Sequence, residues 1–347
     1  MSTFYKVQIQ EVQQETANAV SVLFAIPKNL QNEFHFTAGQ YISIQKTINN
    51  QEIRRAYSIC SSPNSGQVKV AIKAVENGVF SKYATSHLKA GDAIEITAPE
   101  GRFLLNPKPN KNYLAFAAGS GITPVVSMLK AVLETEPSAT FTLIYGNKSV
   151  ADTIFYNELI ALEKKHQQFH LEFVFSKQPH ESSKFGRIDS AITNFFIKNK
   201  YKETSFDSAF LCGPEEMINI ISETLTKAAF TPENIFFELF TTSENKEAAS
   251  TIKEGNSTIT VVLDEEETTF IMAQTDTILA ASLRHNLDAP YSCQGGVCSS
   301  CICKVTEGKA VMTKNSILTD SEIEDGLVLA CQAHPTTETI KIDFDDV

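Results

Sequence analysis

The stretch CQGGVCSSC, Cys293 to Cys301, sets three thiols within nine residues, and a fourth returns at Cys331 in LACQAHP. No other feature restricts the fold of this 347-residue chain so tightly. Three side chains of one short loop converge only if the backbone reverses sharply, which the adjacent Gly295 and Gly296 permit. The fourth thiol must be delivered by a separate element packed against that loop. The start, MSTFYKVQIQEV, alternates like a strand and lacks the apolar core of a secretory signal. No apolar run approaches the ~20 residues needed to cross a bilayer. The expectation is therefore a cytoplasmic chain without membrane insertion, where stable disulfides are rare. Seven cysteines, four of them in one spacing pattern, then point to metal or redox chemistry.

Charge is distributed unevenly. From Thr258 to Val347 there are fifteen acids and five bases, so this quarter carries nearly all of the net charge of -11. Such a balance argues against nucleic acid as a partner and for docking onto a basic protein surface; acidity kept for solubility is the plainer alternative.

The chain reads as a multidomain protein with two or three cores. Residues 1–108 form short β segments with turn signals between them, at Tyr5–Val12, Ala19–Ala25, Tyr41–Ile44, Val68–Val75 and Ala93–Thr97, the pattern of a small antiparallel β-barrel. Residues 109–242 alternate apolar strands with amphipathic helices, which predicts an α/β domain on a parallel sheet. The polar stretch SENKEAASTIKEGNS, 243–257, reads as a linker. Residues 258–347 hold two strands around Asp264–Glu267, a helix near Thr277–His285 and the cysteine loop.

The ligand spacing, Cys293-x4-Cys298-x2-Cys301 and then Cys331, is the one with which plant-type ferredoxins hold a [2Fe-2S] cluster. A zinc site with four cysteine ligands is the other reading, although such sites more often use two separated C-x2-C pairs. Cys303 reads as a packing thiol of a strand. The terminal region resembles a plant-type ferredoxin domain, whose fold is a β-grasp.

Upstream, five further segments resemble the ferredoxin–NADP reductase family. Arg55-Ala-Tyr57-Ser58 is similar to its flavin motif. The resemblance implies that Tyr57 packs on the isoalloxazine, Ser58 bonds near flavin N5 and Arg55 neutralises the FAD phosphates. Ile72 lies in a strand that leads to Gly78-Val79-Phe80-Ser81, where a glycine turn opens a helix through His87 and offers free N–H groups to a pyrophosphate. Gly119-Ser-Gly121-Ile-Thr123-Pro124 matches the family's G-x-G-I-T-P, which implies Thr123 against the flavin and the glycines facing the NAD(P) pyrophosphate. Cys212-Gly213-Pro214 matches its C-G-P, implying Cys212 near the nicotinamide, and Glu238-Leu-Phe240 matches its E-x-F, implying Phe240 over the other flavin face. Read alone, each has a plain structural meaning: an exposed strand, a helix start, a small strand residue, a core phenylalanine.

Across the whole chain these features resemble reductases of multicomponent oxygenases, the phenylacetyl-CoA epoxidase reductase among them. The resemblance implies a hydride from NAD(P)H to FAD, single electrons to the [2Fe-2S] cluster, and delivery to a separate oxygenase protein, with Ser58, Thr123 and Cys212 at the reacting end. Lys148, Ser149 and Lys177 follow strand ends that lack an acid for a free ribose hydroxyl, so NADPH is expected over NADH. A hydroxylase, a desaturase or a soluble redox protein as acceptor, and a zinc-containing binding module, are the competing readings.

Overall fold

The computed structural model describes residues 3–347 and divides into two compact units, Phe4–Phe240 and the stretch from Thr241 to Val347.

The first unit opens with β1 (Phe4–Thr16), β2 (Ala19–Ala25), β3 (Tyr41–Ile48), β4 (Gln51–Ser58), β5 (Val68–Lys73), the helix α1 (Val79–His87) and β6 (Ala93–Thr97). The six strands form one antiparallel sheet in the order β4-β3-β6-β1-β2-β5. A bridge between Ile59 and Val70 joins the two edge strands, so the sheet closes into a barrel. Alternation drives this: Val7, Ile9, Ile42, Ile44, Val70, Ile72, Ile94 and Ile96 all turn into one core. Arg55-Ala-Tyr57-Ser58 sits at the end of β4. Past β6, Glu100 pairs with Tyr41, while the Phe103 ring meets Phe210 at 5.8 Å in the next layer.

That layer is an α/β sheet: β7 (Asn112–Ala118), α2 (Ile122–Thr135), β8 (Thr140–Asn147), α3 (Tyr156–Lys165), β9 (Phe169–Phe175), β10 (Ser183–Phe185), α4 (Ser190–Phe195), β11 (Ser208–Cys212), α5 (Glu215–Lys227) and β12 (Ile235–Glu238). All pairings are parallel, in the order β10-β9-β8-β7-β11-β12. Strand order reverses between β7 and β11, and in such sheets the crevice beyond the strand ends at that point receives the ligand. The barrel is pinned to α2 by hydrogen bonds from Ser127 Oγ to the Ser61 carbonyl (2.7 Å) and from Lys130 Nζ to the Cys60 carbonyl (3.0 Å).

The second unit begins with a short helix, α6 (Lys246–Thr251), inside the stretch expected as a linker. Asn245 caps it, and the Asn245 N–H donates to the Thr313 carbonyl, so this segment is hydrogen-bonded to its own unit. The sheet follows with β13 (Asn256–Leu263), β14 (Glu266–Ala273), α7 (Ile278–Arg284), β15 (Ile302–Glu307), β16 (Ala310–Met312), α8 (Asp320–Glu324), β17 (Leu327–Leu329), β18 (Ala333–Pro335) and β19 (Thr339–Asp343). Five strands pair in the order β14-β13-β19-β15-β17, with the terminal β19 parallel to β13 at the centre, the β-grasp arrangement. Its core gathers Ile259, Val261, Ile278, Leu279, Ile340 and Ile342, and includes Cys301, Cys303 and Cys331.

Candidate active site and cluster loop

Three strands of the first unit bring their ends together. Ser58, buried at the end of β4, donates its hydroxyl to Glu238 Oε2 at 3.0 Å. Glu238 ends β12 and is the register partner of Cys212 at the end of β11. Burial pushes the Glu238 carboxyl up to about 8, with the Ser58 hydrogen bond pulling the other way. Burial also raises the Cys212 thiol well above its usual range, and Glu238, once ionised, adds to that. The site therefore keeps a neutral thiol beside a carboxyl that holds its proton near neutral pH. The E-x-F stretch drew attention to Phe240 in the sequence; Glu238 is the residue of that stretch that reaches Ser58. Phe240 is 39% exposed and lies outside the core, as are Phe236 and Phe237.

The turn after β7 supplies the second part. Gly121 packs so closely against the end of β11 that a Cβ there would lie 2.1 Å from the Cys212 carbonyl oxygen. Only glycine lets the start of α2 approach Cys212 and Gly213 in this way. Gly119 has a left-handed φ of 55°, and its carbonyl accepts from the Tyr145 hydroxyl at 2.8 Å. Thr123 is buried and donates to the Ser120 carbonyl at 3.1 Å, with Pro124 buried in the same first turn and Pro214 at the N-cap of α5. Lys73, which sequence reasoning passed over, brings its ammonium beside Gly119, where a Cβ would lie 3.5 Å away. Burial lowers its pKa, and the neighbouring charge of Lys148 acts in the same direction. Lys148 and Lys177 are exposed, and the Lys177 N–H donates to the Lys148 carbonyl at 2.9 Å, so the two stand side by side at the ends of β8 and β9. Ser149 is buried and donates to Asp152 at 2.6 Å.

On the barrel, Tyr57 packs on Phe80 of α1 with ring centroids 5.7 Å apart, and burial raises the Tyr57 phenol. Gly78 caps α1 at its N-terminus; a Cβ there would meet Ser81 Oγ at 2.2 Å. Val79 is exposed, whereas Phe80 and Ser81 are buried. Arg55 is half-buried and donates to the Arg54 carbonyl at 2.6 Å. Ile72 is a core residue of the barrel, so only its backbone is free to face a ligand.

In the second unit, Cys298, Cys301 and Cys331 are buried and Cys293 is partly exposed. Side-chain hydrogen bonds link Cys293 with Cys298 and with Cys331, and Cys331 with Cys301, so the four thiols form a chain of contacts. Among the described residues no three His, Cys, Asp or Glu side chains close on a single ion. Amide groups point at the sulfurs: Gly295 N–H donates to Cys293 Sγ at 3.3 Å, and Gly296 and Ser300 donate to Cys331 and Cys298. Ser292 Oγ is buried beside Cys293 without a hydrogen-bond partner in the protein. Four thiols, converging amides and one spare hydroxyl fit a thiolate-ligated cluster that needs donors to its sulfurs. Gly296 has φ 72°, and a Cβ there would meet the Lys314 carbonyl at 2.9 Å. Cys303 lies in β15, fully buried, its thiol raised mainly by burial.

Comparison with known proteins agrees with this geometry. Residues 6–104 match the oxidoreductase FAD-binding domain, residues 116–223 the oxidoreductase NAD-binding domain, and residues 261–336 the 2Fe-2S iron-sulfur cluster binding domain. These define the class: an NAD(P)H-dependent oxidoreductase with FAD and a [2Fe-2S] cluster on one chain. The chain is 38% identical to a subunit of the 1,2-phenylacetyl-CoA epoxidase of Escherichia coli (strain K12), over 99% of both chains. It is 31% identical to the ferredoxin reductase component of 3-ketosteroid-9-alpha-monooxygenase from Rhodococcus rhodochrous, over 97% of this chain and 95% of that one. Phthalate dioxygenase reductase shares the fold with a TM-score of 0.64 at 21% identity, over 98% of both chains. The chain belongs to the family of oxygenase reductases that includes this component of 1,2-phenylacetyl-CoA epoxidase.

Proposed function

We propose that this chain draws electrons from NADPH and delivers them to an oxygenase component related to phenylacetyl-CoA epoxidase, docking through its acidic terminal unit on a basic face of that partner in the cytoplasm. The observation that carries the reading is the coexistence on one chain of a Ser58–Glu238–Cys212 cluster at converging strand ends and a four-thiol loop. When bound, FAD accepts a hydride and releases single electrons, which the [2Fe-2S] cluster can carry. Tyr57 offers an aromatic face to the flavin, and Gly78 opens the turn that receives its pyrophosphate. Ser58 and Glu238 hold one exchangeable proton close to the Cys212 thiol, and Thr123 fixes the first turn of α2 against them. Gly119 and Gly121 let the dinucleotide approach the backbone, with the Lys73 ammonium beside it. Lys148, Ser149 and Lys177 are the candidates for a ribose 2′-phosphate, as paired point charges rather than a bidentate fork. Cys293, Cys298, Cys301 and Cys331 hold the cluster.

The acidic balance from Thr258 onward supports electrostatic docking, because attraction between exposed charged faces is screened beyond roughly 8 Å at physiological ionic strength. No helix of the described residues is long and apolar enough to cross a membrane. Turnover of NADPH against a panel of purified oxygenase components, at rising salt, tests the reading. The expected result is substrate oxidation with the epoxidase-type partner, slowing as salt rises. Turnover with none of the panel, or transfer indifferent to salt, would count against the acceptor and the docking mode respectively.

A further inference from the structure

Gln332 stands between the thiol of Cys331 and β18, and none of the roles above uses it. It is 7% exposed, and a primary amide so deeply buried needs partners at both of its ends. It has them. Oε1 accepts from the Thr313 hydroxyl at 3.0 Å. Nε2 donates to the Gln294 carbonyl at 3.0 Å and to Cys331 Sγ at 3.7 Å. Thr313 extends the pairing of β16 with β18 by one step, its N–H donating to the Gln332 carbonyl at 3.0 Å. The Thr313 carbonyl in turn accepts from the N–H of Asn245, the cap of α6, at 2.6 Å. The amide is thus anchored from behind and aimed at the thiol loop.

The backbone it grips is strained. Gln294 holds a left-handed φ of 52°, a conformation that a residue with a Cβ keeps only where its surroundings enforce it. Two residues on, Ser316 donates its N–H and its hydroxyl to the Gly296 carbonyl at 3.1 and 3.0 Å. Gly296 has no room to shift, since a Cβ there would meet the Lys314 carbonyl at 2.9 Å and Gln332 Cγ at 3.2 Å. Gln332 therefore touches the strained turn and a sulfur with one amide. We propose that Gln332 is a positioning residue for electron transfer: its amide fixes the thiol loop, donates to the Cys331 sulfur and so holds the potential of the [2Fe-2S] cluster up. The inference rests on the cluster reading of the four thiols. Its sign follows from charge. Reduction adds an electron to a group that is already negative, and a donor at a ligand sulfur stabilises the reduced state more than the oxidised one. Without that donor, reduction of the cluster by the flavin becomes less favourable.

The test uses the full-length protein, loaded with FAD and cluster, in a potentiometric titration followed by the EPR signal of the reduced cluster. Gln332→Met keeps the side-chain volume and removes both polar ends. It should lower the cluster potential by about 59 mV, a tenfold shift in a one-electron equilibrium, and leave the flavin potentials where they are. Thr313→Val removes only the anchoring hydroxyl and should shift the same equilibrium in the same direction by about threefold. Because Thr313→Val leaves Gln332 in place, it decides the matter if Gln332→Met fails to assemble the cluster. A potential that is unchanged in every variant with full iron and sulfide, or one that rises, would make Gln332 a packing residue and overturn the proposal. An unaltered chain that takes up no iron and sulfide would instead strike the cluster reading itself.

Discussion

Three of the four grouped thiols lie within nine residues of one loop, whereas Ser58 and Glu238, which meet where strand ends converge, are 180 residues apart. The loop is shaped mainly by its backbone: Gly296 takes a left-handed φ, and amides of Gly295, Gly296 and Ser300 turn toward the sulfurs. The other site is built from the ends of β4, β11 and β12, and it exists only once the barrel and the parallel sheet have packed together. One site is thus a local motif carried by a fold, and the other is a product of the fold. Mutations should separate them.

The largest difference is expected at the thiols. Cys293→Ser, Cys298→Ser, Cys301→Ser or Cys331→Ser should each remove the cluster while leaving FAD bound. Cys303→Ser, which alters only a packed strand residue, should keep both. Iron, acid-labile sulfide and the visible spectrum read this out, and stoichiometric zinc without sulfide would break the comparison at its root.

Glycine substitutions come next. Gly121→Ala places a methyl group against the Cys212 carbonyl, a backbone atom that cannot swing away. A cost of about 3 kcal/mol is expected, with a fall in Tm of roughly 10 °C and a raised KM for NADPH. In the loop the two glycines should part company. Gly296→Ala meets the Lys314 carbonyl and should disturb cluster assembly, whereas Gly295→Ala, whose nearest neighbour lies at 3.8 Å, should be tolerated. Equal tolerance at 295 and 296 would show that backbone shape matters less than ligand identity.

Glu238→Gln sharpens the other half. It removes the proton-holding carboxyl and should slow flavin reduction by NADPH about a hundredfold, leaving the cluster spectrum unchanged. It also has a pH signature. In flavin-stripped protein the Glu238 pKa is raised from 4.5 to about 8, so the folded chain keeps a proton that the unfolded chain releases. The stability this contributes, on the order of 2 kcal/mol after allowance for partial exposure, is full below about 4.5 and lost as pH rises through about 8. The Tm of the unaltered protein should therefore fall relative to Glu238→Gln across that window. A difference independent of pH would show that Glu238 is already ionised in the fold.

A smaller effect is expected at the nucleotide end. Lys148→Ala should reduce kcat/KM for NADPH about tenfold and leave that for NADH nearly unchanged, because an exposed lysine contributes one screened charge. Equal values for both nucleotides in the unaltered enzyme, unaffected by the substitution, would remove Lys148 from the specificity site.

How much was legible in the sequence follows the same division. The cysteine spacing and the glycine turns are local, and so were the alternating patterns of the barrel and the β–α alternation beyond it. The role of Glu238 was not, because nothing within its own stretch indicates that Ser58 will lie opposite it. Lys73 reads as one more lysine on a strand until the turn after β7 folds over it. The helix Lys246–Thr251 was hidden by a polar composition typical of linkers, and what orders it is an Asn245 cap together with a hydrogen bond to Thr313, about seventy residues away. The helix start at Tyr156 follows Phe155 in a left-handed conformation that periodicity does not encode.

The most direct test of the central claim is anaerobic stopped-flow mixing of the intact protein with NADPH, followed at flavin and cluster wavelengths, with the oxygenase component then added in a second push. The account predicts loss of flavin absorbance first, loss of cluster absorbance next, and recovery of the cluster signal only when the acceptor arrives. A flavin that is reduced while the cluster absorbance stays constant, or an acceptor reduced equally fast by Cys298→Ser, would contradict it.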